Sequence, residues 1–215
     1  MNQVFEGKLT SQRVLVFCVG LLFLGFGIDM NTKTMLGLSP INSVPYNVHT
    51  LFDIPLWMCV YGFYVLCVLL QWALLREKFH PVQFLQLLTS LVNSFVIQFF
   101  DDRLPTLESM PARFAALAVA IVSTAIGISL TAGMKLVPNP GEGAASAMAI
   151  AMRRDLGFAK NTLDLGCVCL SVVFTLVAAG RVMNIGVGTV VSMLLTGRVV
   201  KLFSKPTAAL YRRVS

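Results

Sequence analysis

The sequence predicts an all-α membrane protein with six transmembrane helices in two inverted three-helix repeats, each with a short capped helix after its first span. The composition supports this class: of 215 residues, 56% are hydrophobic and 13% are charged, with a mean hydropathy of +0.78. Soluble domains carry about 25% charged residues. Two further observations indicate the repeat: six apolar segments, and two helix-start signals that lie 100 residues apart.

The apolar segments are bounded by polar or charged residues. They cover residues 14–28, 54–75, 82–100, 114–134, 165–180 and 185–200. The first is as short as a signal-peptide core, but no small-residue cleavage site follows it, so we interpret it as a retained span. The chain then divides into a cytoplasmic lead (1–13), a first three-span repeat (14–103), a second three-span repeat (104–203) and a basic cytoplasmic tail (204–215).

The basic residues predict the orientation. With six spans, 13 of the 17 Lys and Arg residues fall on the side that holds both termini, and the other side has Lys33, Arg103, Arg113 and Arg181. Cytoplasmic loops are enriched in Lys and Arg, so both termini are predicted to be cytoplasmic. The net charge of +7 is scattered between apolar segments, which favours the lipid bilayer as the partner and argues against nucleic acid.

The two helix-start signals interrupt the hydrophobic sequence once in each half. Asn139 suits an N-cap, Pro140 suits the first helical position, and Glu142 follows three residues after the cap. The matching residues of the first half are Ser39, Pro40 and Asn42. Each signal therefore predicts a short helix, and the second is expected to end at Arg153 and Arg154, because cations suit a helix C-terminus.

The third and sixth spans carry matching polar stripes. Gln86, Thr89 and Asn93 correspond to Thr189, Ser192 and Thr196 at an offset of 103 residues. Both sets have the spacing i, i+3, i+7, which places them along one helix face. Inverted three-span repeats are typical of secondary transporters, whose site lies between the repeats. The alternative is that the stripes join helices by hydrogen bonds, and for Gln86 and Asn93 both interpretations stay open.

Three glycine motifs carry a resemblance to a known family. They are residues 140–143 (PGEG), 37–40 (GLSP) and 186–190 (GVGTV). With these motifs the chain resembles the YczE/YyaS/YitT family of bacterial inner-membrane proteins over residues 14–203. The resemblance implies a multi-span protein of the inner membrane and transport, but no substrate. Members usually have a second Gly-Thr pair opening the third span, where this chain has residues 82–86 (VQFLQ), which suggests that the halves have diverged.

The candidate site combines the helix starts with the polar stripes. Glu142 is the sharpest candidate, because a carboxylate inside a membrane costs ~2.5–3.5 kcal/mol on insertion scales. It is expected to cap an interfacial helix, to bind a cation, a proton or a ligand amine, or to pair with Lys160 or Arg153. The predicted substrate-binding residues are Ser39, Asn42, Gln86, Asn93, Asn139, Gly141, Glu142, Gly186, Gly188 and Thr189.

Two function classes remain open from the sequence. The first is a permease for a small polar metabolite; the second is a non-transporting binding subunit, or a partner of a separate energised complex. A homo-oligomer or a membrane partner is also left open. The sequence has no P-loop, HExxH or GxSxG motif, and we expect no enzyme activity, cofactor or metal. Asp29 and Asp53 lie at span ends and are expected to mark the outer interface, and Asp164 is expected to pair with Lys160.

Overall fold

A computed structural model describes residues 10–214, and these residues form helices without strands. Six helices are long and apolar enough to cross a membrane. They are α1 (Ser11–Lys33), α3 (Leu56–Leu75), α4 (Leu85–Asp101), α5 (Met110–Gly133), α7 (Leu156–Ala179) and α8 (Val187–Val214). In each half, one shorter helix follows the first span: α2 (Pro40–Phe52) in the first half and α6 (Pro140–Met152) in the second. The predicted class, an all-α protein with six spans, is confirmed.

Some helices begin or end well away from the predicted boundaries: α7 begins at Leu156 where the span was predicted from 165, and α1 ends at Lys33 where it was predicted to end at 28. Two short 3₁₀ turns, Arg76–Lys78 and Pro81–Phe84, join α3 to α4. The predicted lead, residues 1–13, lies mostly outside the described residues. At the other end α8 continues to residue 214, so the basic residues of the predicted tail belong to a helix.

The starts of the two short helices differ in how they are capped. Asn139 accepts a hydrogen bond from the Gly141 N–H (3.0 Å) through Oδ1, as the sequence predicts. Ser39 occupies the N-cap position of α2, but its hydroxyl accepts from the Asn42 amide (2.8 Å) and does not cap the backbone. The predicted side-chain cap at Ser39 is therefore wrong, because the neighbouring amide takes the hydroxyl oxygen.

Helices α1 and α5 form the centre of the bundle and cross in antiparallel directions. A β carbon at Gly20 would lie 2.9 Å from Leu130 Cβ, and one at Gly127 would lie 2.5 Å from the Leu24 nitrogen. Ser123 and Thr131, one helical turn on either side of Gly127, are also buried. The backbones can approach this closely only because glycines stand at the crossing, which is how small residues join helices in membranes.

The other helices pack around this pair. Helix α4 packs on α1 and α8 packs on α5, while each short helix packs on both α3 and α7. Helix α4 also packs on α3, whereas within the described residues α8 has little contact with α7. The inverted relation of the two halves stays a prediction, and this difference is a departure from strict two-fold packing.

The two short helices begin inside the bundle. A β carbon at Gly141 would lie 2.6 Å from Ile41 Cδ1, so the first turns of α6 and α2 are in contact. Leu38, just before α2, packs in one apolar cluster with Leu24 and Tyr64 from the long helices. The first residues of both short helices, Pro40 and Pro140, are buried by the surrounding helices.

Candidate functional site

A small cavity lies beside the start of α6, between side chains from α1, α4 and α5. We call it the central cavity. It is lined by Phe17, Leu21, Thr89, Ser90, Asn93, Thr131, Val137, Asn139 and Pro140. Its volume of about 10 Å³ is close to the space that one water molecule needs. The lining combines apolar side chains with uncharged hydroxyl and amide groups.

Asn93 is the polar group of this cavity that the protein leaves incompletely bonded. Its side chain is 1% exposed, and its Nδ2 donates a long hydrogen bond to the Tyr64 hydroxyl (3.5 Å). Its Oδ1 is buried and has no hydrogen-bond partner among residues 10–214. An unsatisfied buried acceptor costs about 1–3 kcal/mol, so this oxygen is a place for a donor from a ligand or a water molecule.

Gln86 and Asn93 both lie on the predicted stripe, but the Gln86 amide has a hydrogen-bond partner for its oxygen. The side-chain amides of Gln86 and Gln71 bond to each other in both directions, at 3.0 Å each. Gln71 Nε2 also donates to the Pro140 carbonyl at the start of α6 (3.2 Å). A β carbon at Gly143 would lie 2.6 Å from Gln71 Oε1, so a side chain there would displace the pair. The amide pair therefore holds α6 against α3 and α4.

Glu142 turns towards α7, where it joins two further charged residues. Its carboxylate lies 3.5 Å from Lys160 Nζ, and the same ammonium lies 3.8 Å from Asp164. The predicted pairing of Lys160 with Asp164 is therefore observed, and Asp164 is nearly buried (side chain 6% exposed). Glu142 is not among the residues that line the central cavity. One ammonium thus lies between two carboxylates on the α6–α7 pair.

The predicted glycines of the last span lie at a separate place, where α8 begins. The Gly188 N–H donates to the Leu36 carbonyl (2.7 Å), and a β carbon at Gly186 would lie 2.5 Å from that same oxygen. The Gly186 N–H donates to the Thr189 hydroxyl (3.1 Å), which closes the first turn. Gly186, Gly188 and Thr189 therefore dock α8 onto the segment before α2 and are not brought to the central cavity.

The predicted residues thus fall into groups that the fold separates. Asn139 and Asn93 meet at the central cavity, and Gly141 contacts α2 beside it. Ser39 and Asn42 bond to each other at the start of α2, and Asn42 is buried.

Asp29 is the residue that the sequence interpretation placed wrongly. It was expected to mark the outer interface, but it is fully buried. Its Oδ1 accepts from the hydroxyls of Thr32 (3.2 Å) and Tyr46 (3.3 Å), and its carboxyl lies within hydrogen-bonding reach of Asp101. Asp53, the other predicted marker, is exposed as expected. The sequence feature that could have indicated a partnered position for Asp29 was Lys33, which follows Asp29 at helical spacing.

This architecture defines a polytopic α-helical membrane protein with two short helices packed inside the bundle. The chain belongs to a family of unknown function (DUF6198), whose model matches residues 11–205. No curated protein and no solved structure matches the chain. The match covers the same region as the resemblance to the YczE/YyaS/YitT proteins but does not name that family.

Proposed function

We propose that the protein is a permease for a small polar metabolite, with its site at the central cavity between the two halves. The observation that carries the proposal is Asn93, whose buried Oδ1 is left without a donor beside a water-sized cavity. A ligand hydroxyl or amine N–H would supply that donor. The uncharged lining favours a neutral polar solute or a neutral part of a larger one.

The short helices support the same proposal. Secondary transporters often place their site where broken helices begin inside the membrane, and there the backbone N–H groups can bind a ligand. In this protein the starts of α2 and α6 touch through Ile41 and Gly141, and Asn139 borders the cavity. The resemblance to the YczE/YyaS/YitT proteins is a further argument for transport.

The size of the cavity sets a requirement on the mechanism. A cavity of about 10 Å³ cannot hold a metabolite, so binding needs the helices around it to separate. The antiparallel contact of α1 and α5, with glycines at Gly20 and Gly127, is a close surface about which the halves can rock. The structure then corresponds to a closed state of the proposed cycle.

We propose a location in the bacterial inner membrane with both termini in the cytoplasm. The distribution of Lys and Arg and the family resemblance support this orientation. The Thr10 hydroxyl donates to the Val214 carbonyl (2.6 Å), so the two ends of the described chain lie on one side of the bundle.

The test is a thermal-shift screen of purified protein against a panel of small polar metabolites, followed by uptake into liposomes. A ligand at 100 times its Kd stabilises the fold by about 2.7 kcal/mol. We expect a hit that Asn93→Leu abolishes and that Asn161→Leu, on the exposed side of α7, leaves intact. Glu142→Gln and Asn42→Ala then report whether their clusters extend the site.

The outcomes separate the two function classes. Binding with uptake by the purified protein supports the permease. Binding without uptake supports the alternative, a binding subunit of a separate energised complex. A hit that Asn93→Leu leaves unchanged contradicts the proposed site.

A further inference from the structure

A buried acid, Asp29, and a partly exposed one, Asp101, meet near the end of α1, far along the helix from the central cavity. Asp29 lies on α1 and Asp101 on the last turn of α4, and their carboxyl groups are within hydrogen-bonding reach of each other. Lys33 Nζ lies 2.7 Å from Asp101 Oδ1 and also donates to the Asp101 carbonyl (2.9 Å). Lys33 therefore supplies one positive charge against two carboxylates.

The hydrogen bonds around Asp29 identify where a proton is needed. Its Oδ1 accepts from Thr32 and Tyr46, but its Oδ2 is buried and has no partner among the described residues. Two ionised carboxylates repel each other, and neither can donate a hydrogen bond to the other. A proton on Asp29 provides the missing donor and makes the group of Asp29, Asp101 and Lys33 neutral.

Among residues 10–214, the other groups that face this pair do not supply a second positive charge in contact with Asp29. Helix α2 contributes the Tyr46 hydroxyl, with the His49 ring 6.5 Å from the Tyr46 ring. Helix α8 contributes Ser192, which accepts from the Asn31 amide (3.0 Å). From α5, Arg113 bonds the Leu107 carbonyl (2.8 Å), and the Leu107 N–H bonds the Lys33 carbonyl. Arg113 is thus directed to the loop backbone.

The second group of two carboxylates and a lysine provides a contrast. Lys160 Nζ lies within 4 Å of both Glu142 (3.5 Å) and Asp164 (3.8 Å), and Glu142 and Lys160 are each about one quarter to one third exposed. Neither carboxylate has a buried oxygen without a partner among residues 10–214. The geometry of that group is satisfied without an added proton.

We infer that Asp29, beside Asp101, is a proton-binding site. The role we assign to the site rests on the proposed function: it would make transport by this protein proton-coupled. Asp29 connects α1 to α2 through Tyr46 and to α4 through Asp101. Loss of the proton would place two negative charges between these three helices and favour their separation.

The site can be tested without a ligand or a transport assay. Infrared spectra of the purified full-length protein in liposomes report protonated carboxyl groups through their C=O stretch. We expect such a signal at neutral pH that is lost at alkaline pH and is absent from Asp29→Asn. Asp102→Asn, which changes the exposed neighbour of Asp101, is the matched control and should keep the signal.

A second variant covers the case in which Asp29→Asn does not fold. Tyr46→Phe removes one donor to Asp29 Oδ1 and keeps the carboxyl, so it should shift the frequency of the signal. A melting temperature that falls at alkaline pH in the wild type, and stays flat in Asp29→Asn, is the expected second readout. No protonated-carboxyl signal at neutral pH, or one that neither variant changes, would overturn the inference. That result would leave ligand binding at the central cavity untouched, and a failed ligand screen would leave the signal in place.

Discussion

Ile41 of α2 and Gly141 of α6 are in contact, each at the second residue of its helix. A β carbon at Gly141 would lie 2.6 Å from Ile41 Cδ1, so the two short helices meet start to start within the bundle. Both helix starts carry partial positive charge from the aligned peptide dipoles. The contact brings these two starts together beside Asn139 and the central cavity, which is why the candidate site lies there.

The crossing of α1 and α5 should depend on Gly127. A β carbon there would lie 2.5 Å from the Leu24 backbone nitrogen, and backbone atoms cannot move aside as a flexible side chain can. We expect Gly127→Ala to lower stability by about 1–3 kcal/mol, the usual cost of overpacking, and Gly127→Leu to prevent folding. Thermal melting in detergent measures the effect.

Gly166→Ala is the control for this prediction. It lies on α7, where a β carbon would meet open space, so it should keep or slightly raise the melting temperature. Equal melting temperatures for Gly127→Ala and Gly166→Ala would contradict the crossing.

The amides of Gln71 and Gln86 should behave as one unit. Replacing either by Leu leaves the other amide buried without its partner, at a cost of about 1–3 kcal/mol. The double variant removes both amides, so its loss of stability should be smaller than the sum of the two single losses. A double-mutant cycle on the unfolding free energy measures the coupling. Additive losses would show that the pair does not hold α6 in place.

Lys160 should matter because two carboxylates share it. Lys160→Met leaves Glu142 and Asp164 facing each other without a cation, and we expect a loss of about 1–3 kcal/mol. Adding Asp164→Asn should restore part of the stability, since it removes one of the two charges. Lys201→Met, at an exposed position on α8, is the control and should have little effect. A loss in the control as large as that at Lys160 would contradict the ion-pair interpretation.

The predicted orientation can be measured with single cysteines in a variant without the five native ones. Thr106→Cys lies in the exposed loop between α4 and α5, and Ser204→Cys lies exposed near the end of α8. With both termini in the cytoplasm, a membrane-impermeant thiol reagent should label residue 106 in intact cells and residue 204 only after permeabilisation. The reverse pattern would place the termini outside.

The amino-acid sequence determined the six spans and the two short helices. Long apolar segments and capping residues such as Asn139 act through local preferences of the chain, so they can be read without knowing any partner. The sequence also singled out Asn93, by its polarity in an apolar span, and Asn139, as a helix cap, and these two residues meet at the central cavity.

Only the tertiary structure decided what the polar side chains do. Asp29 looks like a span end in the sequence, but α2 and α4 cover it, so it becomes a buried acid in contact with Tyr46 and Asp101. Gln86 and Asn93 share one stripe, yet the first is bonded by Gln71 from α3 and the second keeps a free oxygen. The physical reason is that a helix start or a span depends on neighbours in the chain, whereas the partner of a buried polar group depends on which helices pack against it.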